Sequence, residues 1–121
     1  MVRLEDKELL AQLANALGDW RYDGFIVWNK LARTWLEKNL PDVVQKSVGE
    51  QMFLHYQGGG KIDQVKETRS PYDEHYEFHY DFRLTIDNRE VYIETVLDTT
   101  ATGPTITIVN MHDKGLQEYE K

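Results

Sequence analysis

Tyr76-Glu77-Phe78-His79-Tyr80-Asp81-Phe82-Arg83-Leu84-Thr85-Ile86 alternates apolar and polar side chains without a break over eleven positions. Successive strand side chains point to opposite faces, so Tyr76, Phe78, Tyr80, Phe82, Leu84 and Ile86 share one face, and Glu77, His79, Asp81, Arg83 and Thr85 the other. That pattern predicts a half-buried antiparallel strand. Its polar face collects an imidazole, carboxylates and a guanidinium, from which either a site or an ordinary wet surface can be built.

Asp87-Asn88 follows, a pair suited to a two-residue hairpin turn. With that turn Leu84 faces Val91, Phe82 faces Ile93, Tyr80 faces Thr95 and Phe78 faces Leu97, so the apolar faces coincide. Asp98 to Pro104 reads as a Thr- and Gly-rich loop into a further strand, Thr105 to His112, and Lys61 to Arg69 as an earlier strand after the Gly58-Gly59-Gly60 turn. Upstream, Leu9, Leu10, Leu13, Ala14 and Leu17 predict a helix over 5–17 that stops at Gly18. Asp23 is the expected cap of a second helix with the stripe Phe25, Trp28, Leu31, Ala32, Trp35 and Leu36. Pro41 opens a third with Val44, Val48, Met52 and His55 on one side, and residues 50–57 are left open between helix and strand.

The expected architecture is α+β: two or three N-terminal helices packed on one face of a C-terminal antiparallel β-meander of four strands, with three to five allowed. The chain of 121 residues fits a single domain, with a helical layer over about 4–57, a sheet over about 61–112 and a polar tail over 113–121. The absence of cysteine removes disulfides, thiol catalysis and thiolate zinc sites. No secretory leader or apolar run of membrane-spanning length is present, so the expectation is a soluble, cytoplasmic protein. Residues 1–57 carry 7 basic and 8 acidic side chains, and 58–121 carry 7 and 13, which puts most of the net charge of −7 in the C-terminal half. Such a surface repels phosphate backbones and suits a basic protein partner better than nucleic acid.

The hairpin register sets Asp81 opposite Glu94 and Arg83 opposite Tyr92, with His79 and then Glu77 further along. Like charges across a strand pair destabilise it unless neutralised, by Arg83, by a protonated His79 or by a bound cation such as a hard divalent metal. Glu77, His79, Asp81, Arg83, Tyr92 and Glu94 are therefore the candidate binding residues, and His79, Arg83 and Glu94 the candidate catalytic ones for acid–base chemistry. The bland alternative is a solvated sheet face. His75, Glu77 and His79 alternate as strand ligands would, and His55 and His112 could approach them. No metal-binding pattern is completed, and no metal or cofactor is expected. Gly58-Gly59-Gly60-Lys61 lacks the spacing of a phosphate loop, and no serine sits in a nucleophile turn.

Helices followed by a four-strand meander resemble the small ribonuclease toxins of the RelE and colicin D type, over most of the chain but at the level of topology only. The resemblance implies metal-independent RNA cleavage by side chains of the exposed sheet face, here His79, Arg83, Lys66 and Glu94. The acidic excess departs from those basic toxins. A cone-shaped fold like that of nuclear transport factor 2 is a further alternative, with a ligand pocket lined by Tyr80, Tyr92, Trp28 and His79. The first expectation is a binding module that takes a protein partner or a small ligand through the polar sheet face. It needs no residue set beyond those named. Whether the protein is an enzyme, and whether a second copy covers a sheet edge as a homodimer, stay open.

Overall fold

The computed structural model describes residues 2–113, and eight of the nine residues of the expected polar tail, 114–121, lie outside that range. The elements run β1 (Val2–Arg3), α1 (Lys7–Gly18), β2 (Ile26–Trp28), α2 (Lys30–Asn39), α3 (Gln45–Gln57), β3 (Ile62–Lys66), β4 (Phe78–Ile86), β5 (Arg89–Thr100) and β6 (Gly103–Asp113). The protein is thus α+β, with three helices and one mostly antiparallel sheet. That sheet has six strands in the order β1-β3-β4-β5-β6-β2, not four.

The two additional strands come from segments read as helix or left unassigned. The stretch Phe25-Ile26-Val27-Trp28 is a run of aromatic and β-branched residues, and such residues lose side-chain freedom in a helix but fit a pleated edge. β2 therefore pairs in parallel with β6, Ile26 with Ile106 and Trp28 with Ile108. The second helix starts seven residues after Asp23, with Asn29 as its cap. The Asn29 side chain accepts from the Ala32 amide at 3.0 Å, a bond of a kind worth about 1 kcal/mol. α1 is capped likewise by Asp6, which accepts from Glu8 and Leu9. Residues 50–57 are helical, inside α3.

The hairpin follows the expected register, Leu84 with Val91, Phe82 with Ile93 and Tyr80 with Thr95. Asp87 and Asn88 take the left-handed conformations its turn requires, with φ of 53° and 64°. The loop expected over 98–104 shrinks to Ala101-Thr102, because Thr99 and Thr100 pair with Pro104 and Gly103 and lengthen both strands. Asp113, assigned to the tail by sequence, is the last residue of β6 and is gripped by Arg89, Nε to Oδ1 at 2.7 Å.

All three helices bury their apolar stripes on one sheet face, where Leu13, Ala16 and Leu17 of α1, Ala32 and Leu36 of α2 and Val48 and Met52 of α3 meet Tyr80, Phe82, Leu84, Ile93, Ile106 and Ile108. Gly49 lets α3 come close to β2. A Cβ there would stand 3.1 Å from Ile26 Cδ1 and 3.3 Å from Trp20 Cβ.

β6 carries an irregularity that decides what the other face displays. Glu94 pairs with Asn110 but the next residue, Thr95, pairs with Ile108, so Val109 is an extra residue. A bulge shifts the alternation by one. Ile106 and Ile108 face the helices before it and Met111 after it, which hands Asn110 and His112 to the opposite face.

Candidate functional site

Asp63, Asp81 and Glu94 stand in one row across β3, β4 and β5, the register pairing Asp63 with Asp81 and Asp81 with Glu94. His79 and Arg83 flank Asp81 on β4, Tyr92 and His112 pair across β5 and β6, and all point away from the helices. This is the polar face read from the Tyr76–Ile86 alternation, but it is not a wet surface. Asp81 is 0% exposed, Asp63 and Tyr92 1%, Glu94 4%, His112 5% and His79 6%. The bland alternative of solvated side chains moving apart does not describe it.

Burial of so many polar groups is tolerated only if they bond one another. Asp81 Oδ1 is hydrogen-bonded with His79 Nδ1 at 2.6 Å, while the Tyr92 hydroxyl donates to its Oδ2 at 2.8 Å. Glu94 is held by Arg69 Nη1 on Oε1, with His112 Nε2 3.5 Å from Oε2. Arg69 also grips Glu67 with two donors, Nε to Oε2 at 3.0 Å and Nη2 to Oε1 at 2.9 Å, the fork geometry that makes arginine a strong carboxylate partner. Arg83 Nη2 reaches Asp63 Oδ2 at 3.1 Å and its guanidinium lies 5.5 Å over the Tyr92 ring, whose other neighbour is the His112 ring stacked at 5.2 Å and 19°. Asp63 Oδ1 is the exception. Lys61 Nζ stands 3.3 Å away as an ion-pair partner, but its orientation makes no hydrogen bond to that buried oxygen.

The electrostatics separate the carboxylates. Burial pushes the Asp81 carboxyl above its ordinary value, and the Glu94 charge adds to this, although the bonds from His79 and Tyr92 pull the other way. Burial would also raise Glu94 and Glu67, but for Glu94 the His112 bond and the Arg69 charge outweigh it, and for Glu67 the Arg69 bonds do. Both stay below the usual carboxylate range. The Tyr92 hydroxyl is pushed far up by burial and by the Asp81 carboxylate, which keeps it a donor.

His79 offers a second open valence besides the unbonded Asp63 Oδ1. Nδ1 is committed to Asp81, while Nε2 has no hydrogen-bond partner among the described residues. A carboxylate on one ring nitrogen fixes the tautomer that leaves a lone pair on the other, the arrangement of an oriented general base.

Of the residues named from sequence, His79, Asp81, Tyr92 and Glu94 converge, with Arg83 at the exposed rim. Glu77 does not join them: it precedes β4 and is exposed, contributing only its carbonyl to the Glu67 amide. Lys66 is exposed at the end of β3, and His75 is exposed in the connection before β4. His55 lies on the helix side, its Nε2 2.7 Å from the Lys61 carbonyl oxygen and its ring against Phe82, so it does not approach the other histidines. Tyr80 and Trp28 pack with the helices while Tyr92 and His79 face away, so these four do not line a common cavity. Sequence reasoning missed Asp63, Glu67 and Arg69 as site residues. The one legible signal was the break in β6 alternation between Ile108 and Met111, which marks the bulge that delivers His112.

Among the described residues no group of His, Asp and Glu is arranged to hold a metal ion, and no helix is long and apolar enough to cross a membrane. Comparison with protein-family models, with curated proteins and with solved structures finds no match.

Proposed function

We propose that the polar sheet face is a binding site for a small hydroxyl- or carboxyl-bearing ligand, with His79 Nε2 as the group that accepts its proton or hydrogen bond. The observation that carries this is the His79–Asp81 pair at 2.6 Å, which orients the imidazole and leaves one nitrogen unpartnered within a network whose other members bond one another. Burial of Asp81, Tyr92, Glu94 and His79 favours a small ligand over a protein partner, because a flat protein surface reaches rim groups such as Arg83 and Glu77 but not these. A base held by a carboxylate is also equipped for proton abstraction, so the same site supports acid–base catalysis on the ligand.

One arrangement favours a second reading, the metal-independent ribonuclease. Two guanidinium groups, Arg69 and Arg83, share the polar face with the His79 base, and cationic groups stabilise the charge that develops in phosphoester cleavage. Both already neutralise carboxylates, Glu67 with Glu94 and Asp63 respectively, which weakens their pull on a phosphate.

A thermal-shift panel of hydroxyl- and carboxyl-bearing metabolites, run beside RNA cleavage in EDTA, tests both readings on the parent and His79→Ala. Compounds that raise the melting temperature of the parent alone support the ligand site. RNA cut at defined positions by the parent alone transfers the site to the ribonuclease reading. If the two proteins behave alike in both assays, His79 is not a ligand-meeting group and both readings fail.

A further inference from the structure

The polar face has no helix over it, yet its centre is buried, and the connection between β3 and β4 is the segment that crosses it. Glu67 N donates to the Glu77 carbonyl at 3.0 Å, which closes the base of a strap formed by residues 68–76. Within it Asp73 N donates to Arg69 O at 2.9 Å, and His75 N and Tyr76 N donate to Tyr72 O at 3.0 and 2.9 Å, so the strap is internally organised.

Its attachments to the rest of the molecule are polar. Arg69 bonds Glu94 on β5, the Tyr76 hydroxyl donates to Asp98 Oδ2 on β5 at 2.7 Å, and Asn29 Nδ2, beyond the end of β2, donates to the Tyr72 hydroxyl at 3.2 Å. Asn29 follows the far edge strand of the sheet, so the strap runs from β3 over β4, β5 and β6. Glu94 and Asp98 sit two residues either side of Val96 on one face of β5. The register continued by one residue beyond Tyr80 and Thr95 puts Val96 opposite His79. The two β5 latches thus bracket the residue that lies beside the imidazole on the neighbouring strand.

No residue from Thr68 to Glu77 is buried, and neither Tyr72 nor Tyr76 belongs to the hydrophobic core. A segment held by a few hydrogen bonds, with Tyr72 and Tyr76 only partly buried and no residue fully so, opens far more cheaply than the fold unfolds.

We infer that the strap of residues 68–76 is a lid over His79, latched by the Tyr72 and Tyr76 hydroxyls and by Arg69, and that it swings about the Glu67–Glu77 base to admit the ligand. The inference deepens the ligand-site reading and rests on it for its purpose, since a lid is needed where the reacting group is buried. It acts as a gate, on the time scale of local opening.

Tyr72→Phe/Tyr76→Phe removes two latches without touching the polar network. The parent and this variant would be treated with diethyl pyrocarbonate at neutral pH, the label at His79 followed by peptide mass spectrometry, and amide hydrogen exchange of 68–77 recorded alongside. His55, on the helix side of the sheet and away from the strap, is the internal control. The expected result is a rise of about tenfold in both the His79 labelling rate and strap exchange, as loss of two hydrogen bonds implies, with exchange of core β4 and β5 amides unchanged. Faster strap exchange with an unchanged His79 rate would show that the strap does not cover the imidazole. No change in either, or exchange of the strap only together with the core amides, would show that these hydroxyls latch nothing. Labelling needs no ligand, so the lid can fail while the thermal-shift panel still supports the site, and the reverse.

Discussion

Arg69 holds Glu67 by two bonds and Glu94 by another, and its charge helps to keep both of these buried carboxylates ionised, with His112 assisting at Glu94. Removing one partner of a buried pair leaves a stranded charge, at a cost of about 3–5 kcal/mol. The Arg69 side chain is 36% exposed, which tempers this to about 2–4 kcal/mol for Arg69→Ala at pH 7. The pH dependence has a definite sign. Glu67 and Glu94 have folded-state pKa values below the ordinary 4.5, so their stabilisation is present above that value and is lost as pH falls through the lowered ones. In the variant burial acts unopposed by Arg69 and lifts both carboxyls, so its deficit against the parent is full well above those raised values and narrows as pH falls through them toward the parent's lowered ones. Urea unfolding of both proteins at pH 7 and pH 4 measures this, and a gap that stays constant contradicts it. Asp81, with its raised pKa, moves in the opposite direction in both proteins and does not create the difference. His79, Asp81, Tyr92 and Glu94 were legible because a period of two and one turn suffice to place them. Burial of that face was not legible, since it depends on Arg69 and Glu67, which sit outside the alternating run in a connection that carries no periodic signal.

The β4–β5 hairpin shows where local chemistry dictates an element. Asn88 sits at φ 64°, a conformation that costs a residue with a branched Cβ about 1–2 kcal/mol and glycine nothing. Asn88→Val is accordingly expected to lower stability by about 1–2 kcal/mol and Asn88→Gly to leave it within about 0.5 kcal/mol, as read by denaturant unfolding. Equal losses in the two variants would mean that the Asn88 side chain, not its backbone, holds the turn. β2 illustrates the opposite case. Its helical stripe is real in the sequence, since Trp28, Leu31, Ala32, Trp35 and Leu36 do recur at helical spacing, yet the first member is drawn into the sheet because β6 offers an open edge to Ile26-Val27-Trp28. The long strands outgrew their expected bounds for a related reason. Thr99, Thr100 and Gly103 read as loop by composition, but pairing across a two-residue turn satisfies their backbone groups without solvent.

At the scale of the molecule the sheet is closed off at both ends by very short strands, two residues of β1 and three of β2. A short edge offers few unpaired groups to another chain, and the net charge of −7 adds repulsion between copies. Sedimentation at micromolar concentration and physiological salt is expected to give a single species near 14.2 kDa, and a twofold heavier boundary would revive the homodimer that the sequence left open. The same two edge strands impose an order on assembly. β1 pairs with β3 and β2 with β6, so the first residues of the chain find partners only in its later half, and Ile26 waits about 80 residues for Ile106. The meander from β3 to β6 is built from neighbours and can close on itself early, whereas the sheet margins carry the long-range closures that slow a folding chain. On the ribosome, α1 and α2 emerge with their apolar stripes exposed, and although α3 can cover part of α1, both wait for β6, the last strand, to complete their packing, and that interval is when the nascent chain is most open to chaperones and to self-association.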